Sequence, residues 1–312
     1  EIPSTLASRA NPGEKQMIAE WIKAEIPEGE GWDDDYQRRA LGGLWLTLMS
    51  GALDDETYLR ICGETGRTQD MIDRLLSLER VDEALSRVRS ARKNNLTAIA
   101  DVFEAHGHPQ LGKQIITEQP DSESDLLRLG WLKQYARRHE IWPEALRMAE
   151  ATFWMAQSLE NYNDLLEAAM ELNEQTSARA RVLERLESAG NFSLLVEIHL
   201  LENEIDLALA ALERVKPEIW GERMAALRRQ VAQAVEIPRP RDAIRQYLLL
   251  AEDLIEQRSR GSYAEAAMLL QRIRRIYQNL GEEDRSNTIM ESLRSEYQRI
   301  PALLDEMRRA GL

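Results

Sequence analysis

The sequence predicts an all-α protein, an α-solenoid of antiparallel helical hairpins. Three observations carry that prediction. Apolar residues recur at helical spacing in short segments, with breaks of a few residues between them. The inventory favours helix, since three Phe and eight Tyr are set against many Leu, Ala, Glu and Arg. One figure also repeats. Leu126–Gln157 reads as two amphipathic helices broken at His139–Pro143, with Ala145 as a small residue where the second helix crosses the first. It returns around Asn203–Asp206 with Ala208, around Glu79–Asp82 with Ala84, and around Arg260–Tyr263 with Ala266. These four alanines are 61, 63 and 58 residues apart, which leaves room for two hairpins in each interval. A helical hairpin cannot hide its apolar face alone, so repeated hairpins stack.

The elements follow in order. Glu1–Gly13 reads as an irregular lead-in, and Met17, Ile18, Trp21 and Ile22 then sit on one helical face. Pro27 and the Gly-rich turn at 28–31 end that helix. Asp33, Asp34 and Asp35 stand at the start of the next helix, where carboxylates meet the positive end of its dipole. Its stripe is Ala40, Leu41, Leu44, Trp45 and Leu48. Helices are expected over 54–63, 68–78, 81–92, 96–106 and 110–118, with a corner at Gly107–Pro109. Beyond the central hairpin come 161–172 and 177–188, closed by Gly190. Lys216-Pro217 opens a helix to Val235. The run Glu236-Ile-Pro-Arg-Pro-Arg241 is the strongest break in the chain, read as a seam within the array in preference to a domain boundary, and truncation after Val235 should leave a shorter folded array. Helices over 242–257, 262–280, 282–298 and 301–310 complete it, with Ser262 read as the start of a capping box. Three stretches result: an N-terminal helical segment at 1–70, hairpin repeats at 71–235, and C-terminal repeats at 236–312.

Composition narrows the function. Fifty-four acidic residues against 40 basic ones leave a formal charge of −14, which opposes direct phosphate-backbone binding by the chain as a whole. A single cysteine, Cys62, rules out an internal disulfide and a multi-thiolate zinc site. No apolar run approaches the ~18 residues of a membrane span. No Gly-x-Gly-x-x-Gly or Gly-x-x-x-x-Gly-Lys-Ser/Thr element occurs.

Each residue with possible chemistry has a simpler reading. His106 and His108 flank a turn glycine, and without a clustered third ligand they read as corner imidazoles. His199, on a Leu-rich helix, reads as a hydrogen-bonded, half-buried side chain. Cys62, at a helix C-terminus, reads as an inert buried thiol. Glu202/Glu204 and Glu282/Glu283/Asp284 are expected on solvated faces, and Asp33–Asp35 is read as capping. Six of the seven tryptophans (Trp21, Trp45, Trp131, Trp142, Trp154 and Trp220) sit among apolar neighbours and are expected to pack between hairpins. Two features remain as binding candidates. Trp131 and Tyr135, on the first helix of their pair, could line a concave groove. Arg272 and Arg275, on one face of an Arg-rich C-terminal segment, could meet an anionic partner or simply pair with neighbouring carboxylates.

Two family resemblances bear on this reading. Aligning the second-helix alanine of a tetratricopeptide repeat on Ala145 puts Leu132 on the expected Leu but Lys133 where Gly belongs, so the repeats are tetratricopeptide-like. The stretches Tyr36–Val88, Gly190–Leu212 and Tyr263–Leu312 resemble the helical C-terminal region of bacterial SWIM zinc-finger proteins. That resemblance implies a helical-repeat arm joined, in its relatives, to a nucleic-acid- or protein-binding zinc module. The defining Cys-x-Cys…Cys-x-His motif is absent here, so no functional residue carries over, and such a module would either lie upstream of Glu1 or be lost. The sequence-level expectation is therefore a non-enzymatic, cytoplasmic scaffold. It would present the concave face of a tetratricopeptide-like superhelix to a protein or peptide, without cofactor, metal or membrane. The alternative is the accessory arm of a nucleic-acid-associated SWIM protein.

Overall fold

The structure, a computed structural model, describes residues 9–29, 31–90, 95–118, 125–215 and 221–312. Trp220 and residues 1–8 lie outside them. The described residues form eighteen α-helices and no strand. The chain divides into two compact units, Glu1–Met155 and Ala156–Leu312.

The first unit holds α1 (Pro12–Glu25), α2 (Trp32–Leu48), α3 (Asp55–Thr65), α4 (Thr68–Ser77), α5 (Val81–Ser90), α6 (Leu96–Ala105), α7 (Pro109–Glu118), α8 (Asp125–Arg138) and α9 (Trp142–Met155). The second holds α10 (Leu159–Glu171), α11 (Gln175–Ala189), α12 (Phe192–Leu201), α13 (Ile205–Arg214), α14 (Gly221–Val235), α15 (Pro240–Glu256), α16 (Arg260–Asn279), α17 (Glu283–Glu296) and α18 (Pro301–Arg309). Within each unit most helices pack on the next, α5–α6 and α17–α18 being the exceptions. The even-numbered helices also pack on one another, α4 on α6 on α8, and α10 on α12 on α14, with α16 on α18. Contact from pair to pair through first helices is the mark of a helical-repeat array.

One turn makes most of the hairpins. The chain leaves the first helix through a residue in the left-handed region: Glu79, Gly107, Glu140, Asn173, Asn203 or Gly281. The next backbone N–H then reaches back five residues to a carbonyl. Examples are Arg80 to Leu75 at 2.9 Å, His108 to Phe103 at 2.8 Å and Glu204 to His199 at 2.7 Å. This closes carbonyls that a helix end leaves open. Five residues past each left-handed position stands a small buried residue: Ala84, Gly112, Ala145, Ala178, Ala208 and Ser286. The turn fixes the angle at which the second helix returns, and the small residue lets it come close. The intervals Ala84–Ala145 and Ala145–Ala208 thus each hold two hairpins, with Gly112 and Ala178 between.

The register then lapses. Ala266, expected on a second helix, lies within α16, which is the first helix of its pair, and Ser286 takes the small-residue position instead. The cause is the α14–α15–α16 segment, where α15 packs extensively on both flanking helices. The Pro-rich run is a tight turn between α14 and α15, inside the second unit. Ser262 is likewise not a helix start. Ser259 caps α16, its hydroxyl accepting from the Ser262 N–H at 3.1 Å.

One core cluster runs through the first unit from Ala19 to Tyr135. Ile22, Leu48, Ile72, Leu75, Phe103 and Tyr135 are fully buried in the first, and Tyr162, Leu165, Val196, Tyr247, Leu270 and Ile273 are buried in the second. Each such side chain stabilises the fold by roughly 1.5–3 kcal/mol through water released from its surface. The N-terminal helix departs from expectation. Ala19 and Ile22 face inward, while Met17 and Trp21 are exposed, because the inward stripe of α1 is only two residues deep. Trp45 and Trp131 are buried and Trp142 and Trp154 half-buried, so those four pack as expected.

Candidate functional site: a groove between α13, α14 and α15

A groove of about 910 Å³ lies in the second unit. Its floor is apolar: Leu212 and Val215 from the end of α13, Met224 from α14, and Leu249, Leu250 and Leu254 from α15. Its rim is charged, with Arg228 and Arg229 on α14, Arg245 and Asp253 on α15, and Glu213 on α13. The spacing of Arg245, Gln246, Leu249, Leu250, Asp253 and Leu254 places one face of α15 along the groove.

Two rim arginines are held. Arg229 pairs with Glu265 at 2.5 Å and Arg245 with Glu213 at 3.3 Å. Arg228, Asp253 and Glu256 have no ion-pair partner among the described residues. Negative charge is crowded at the far end of α15. Burial raises the Glu252 carboxyl above its ordinary value, and the charges of Glu296, Asp253 and Glu256 add to that.

Gln246 is the unusual member. It is 7 % exposed as a residue and lines the groove, and its amide is not among the buried polar groups left unsatisfied, so what it shows, it shows to the groove. A primary amide offers one carbonyl and two N–H donors, and a ligand that covered it without pairing it would lose roughly 1–3 kcal/mol. Sequence reasoning passed over Gln246 because a lone glutamine on an amphipathic helix gives no signal of burial.

The candidates read from sequence lie elsewhere. Trp131 and Tyr135 stack at 5.3 Å, but both are core residues. The Trp131 indole N–H donates to Asp101 at 2.7 Å, and Lys113 sits over the Tyr135 ring at 5.4 Å. Neither ring offers a face to a groove, because α8 turns this stripe onto α6. Arg272 donates to Glu236 at 2.6 Å and lies over the Tyr247 ring at 5.5 Å. Arg275 is exposed and has no ion pair among the described residues. Elsewhere in that segment Arg260 and Arg309 both reach Glu306, Arg285 reaches Glu282, and Arg308 reaches Asp305.

Three acidic or imidazole groups do converge, at the α12–α13 corner. His199, Glu202 and Glu204 bring one potential ligand atom each within 4.8 Å of one another. Arg179 occupies the space that a cation would need. Its guanidinium donates to Glu202 at 2.9 and 2.7 Å and to Glu204 at 2.5 Å. The Tyr162 hydroxyl donates to Glu202 at 2.6 Å, and His199 Nδ1 lies 2.7 Å from Glu204. Burial pushes Glu202 up, but Arg179 and Tyr162 outweigh it and hold the carboxyl below its ordinary value. This corner is an ion-pair lock between α10, α11, α12 and α13.

The remaining groups are equally occupied. His106 Nε2 is 2.9 Å from Asp73 of the preceding first helix. Cys62 is fully buried, and burial, then the charge of Asp70, pushes its thiol up to about 12. Asp34 accepts from the Gly31 N–H at 3.3 Å and Asp35 pairs with Arg38 at 2.9 Å, the local roles expected at a helix start. No described helix is long and apolar enough to cross a membrane. No family model matches the chain, and a search of curated proteins finds no match.

Proposed function

We propose that this protein is a non-enzymatic interaction scaffold whose helical-repeat surface holds a polypeptide, and that the α13–α14–α15 groove is the place of contact. What supports the reading is the composition of that groove. An apolar floor gives affinity by releasing water, while a polar, charged rim orients what lies on it. The acidic and imidazole groups that converge elsewhere, at the Arg179 lock, are engaged in joining one helix to the next.

The test is a panel of short synthetic peptides with apolar centres, measured by fluorescence anisotropy against the full chain and its Leu249→Glu variant. Leu249 is only half-buried, so a carboxylate there reaches the rim and leaves the fold intact. Peptides that bind the natural chain and lose at least tenfold in affinity to the variant, at unchanged melting temperature, support the groove. Equal binding to both chains, or no binding at all, overturns it.

A further inference from the structure

We infer that the groove takes an extended peptide segment, acidic at one end and basic at the other, and reads the backbone N–H and C=O of one of its residues through the side-chain amide of Gln246. The inference rests on the scaffold reading above and says what kind of segment fits.

The length comes from the helix. Groove-lining residues on α15 run from Arg245 to Gln257. At 1.5 Å per residue that face is about 18 Å long. An extended chain advances ~3.3 Å per residue, so five or six residues span the groove.

The backbone conformation follows from Gln246. Its residue is largely buried in the lining, beside Leu249 and Leu250, yet its amide is not among the buried polar groups left unsatisfied and so opens to the groove. A helical ligand has already spent its backbone N–H and C=O groups on itself and would bury the amide unpaired. In an extended segment each residue turns its own N–H and C=O to the same side. A primary amide answers that pair with its carbonyl and one N–H. Gln246 thus gains two hydrogen bonds only from an extended chain.

Charge sets the ends. α14 and α15 are antiparallel across a short turn, so Arg228 and Arg245 lie toward that turn, and Met224, Asp253 and Glu256 lie away from it. Arg228 is the unpaired cation at one end, and Asp253 and Glu256 are the unpaired anions at the other. A carboxylate near Arg228 and an ammonium near Asp253 relieve both.

The experiment uses seven-residue acetylated, amidated peptides with a Leu-Ala-Leu centre. One carries Glu at one end and Lys at the other, one Glu at both, and one Lys at both. Each is titrated against the full chain. The mixed-charge peptide should bind tightest, and N-methylating each central residue in turn should weaken it at one position by roughly tenfold, the loss of about one buried hydrogen bond. Gln246→Leu should lose the same factor and no longer distinguish the methylated peptide. The methylated series is read on the natural chain, so it decides the matter even if the variant misfolds. The inference falls if methylation at every position and Gln246→Leu are without effect, or if a helix-stapled peptide of the same sequence binds better. If peptides still bind and still depend on Leu249 in that case, the scaffold reading stands without it. If no peptide binds, both fall. Concentration-dependent self-association that is abolished by Leu249→Glu would make the occupant a second copy and overturn the inference.

Discussion

Gly112 rests against the backbone of Ala100. A Cβ placed on Gly112 would stand 2.8 Å from the Ala100 carbonyl oxygen, closer than real side chains come to backbone oxygen. The contact is where α7 crosses α6, at the position that Ala84, Ala145, Ala178 and Ala208 occupy in the other hairpins. One hairpin is therefore tighter than its siblings by a methyl group.

Gly112→Val should push α7 off α6 and destabilise the first unit by about 1–3 kcal/mol, the usual cost of overfilling a packed contact. Ala145→Gly makes the opposite change at the sibling position and should cost only about 1 kcal/mol, from helix propensity. Chemical denaturation of the two variants decides it. A Gly112→Val chain as stable as the natural one would show that the α6–α7 crossing is slack.

The Arg179 lock carries a pH signature. The Glu202 carboxyl lies below its ordinary value of 4.5 in the folded chain. A group depressed on folding contributes stability that is fully present above its unfolded pKa and disappears as pH falls through its folded one. Arg179→Met should therefore be markedly less stable than the natural chain at pH 7, and the difference should shrink as pH drops below about 4.5. Tyr162→Phe removes the 2.6 Å bond to the same carboxylate and should cost about 1–3 kcal/mol at pH 7. Melting the three chains between pH 3 and pH 7 checks both statements. A pH-independent Arg179→Met deficit would mean that packing, not charge, makes the lock.

Most helices were legible because each is announced twice, by an apolar stripe and by its end. Gly190, expected as a C-terminal cap, has φ of 72° and closes α11. The hairpin period was legible through Ala84, Ala145 and Ala208, since only a small residue fits where helices cross. What escaped was direction within the stripe. Trp131 and Trp21 look alike in sequence, yet one is core and the other is 58 % exposed, because burial depends on whether a later helix arrives to cover the face. Gln246 escaped for the same reason. Its neighbours Ala243, Tyr247 and Leu250 announce a buried face, but which polar residue is carried inside depends on α13 and α14. The lapse at Ala266 follows from an added helix packed between hairpins, which a spacing of 58 disguises as a nearly regular interval.

Cys62 offers a local probe of the first unit. It is fully enclosed, and its thiol is pushed up to about 12, so thiolate is scarce at neutral pH and access is closed. Iodoacetamide at pH 8 should leave it unmodified in the native chain and label it in step with denaturant unfolding. Mass spectrometry of the intact chain reads this directly. Fast labelling without denaturant would place the α3 region among locally opening segments.

The division at Met155 makes a sharper prediction than the proline seam. The core that runs from Ala19 to Tyr135 belongs wholly to the first unit, so a chain ending at Met155 should melt cooperatively as a helical protein. Ending the chain after Val235 is different. It strips α15 from α14, uncovering Leu227, Val231 and Val235, and it removes Glu265 from Arg229. Deuterium exchange on that chain should show α14 unprotected while α4, α6 and α8 keep the protection they have in the full chain. Retention of native protection across α14 in the shorter chain would mean that α13 and α12 hold it unaided. In that case the turn at residues 236–239 would be a true end of a repeat, as the prolines suggest, and not the interior of a three-helix block.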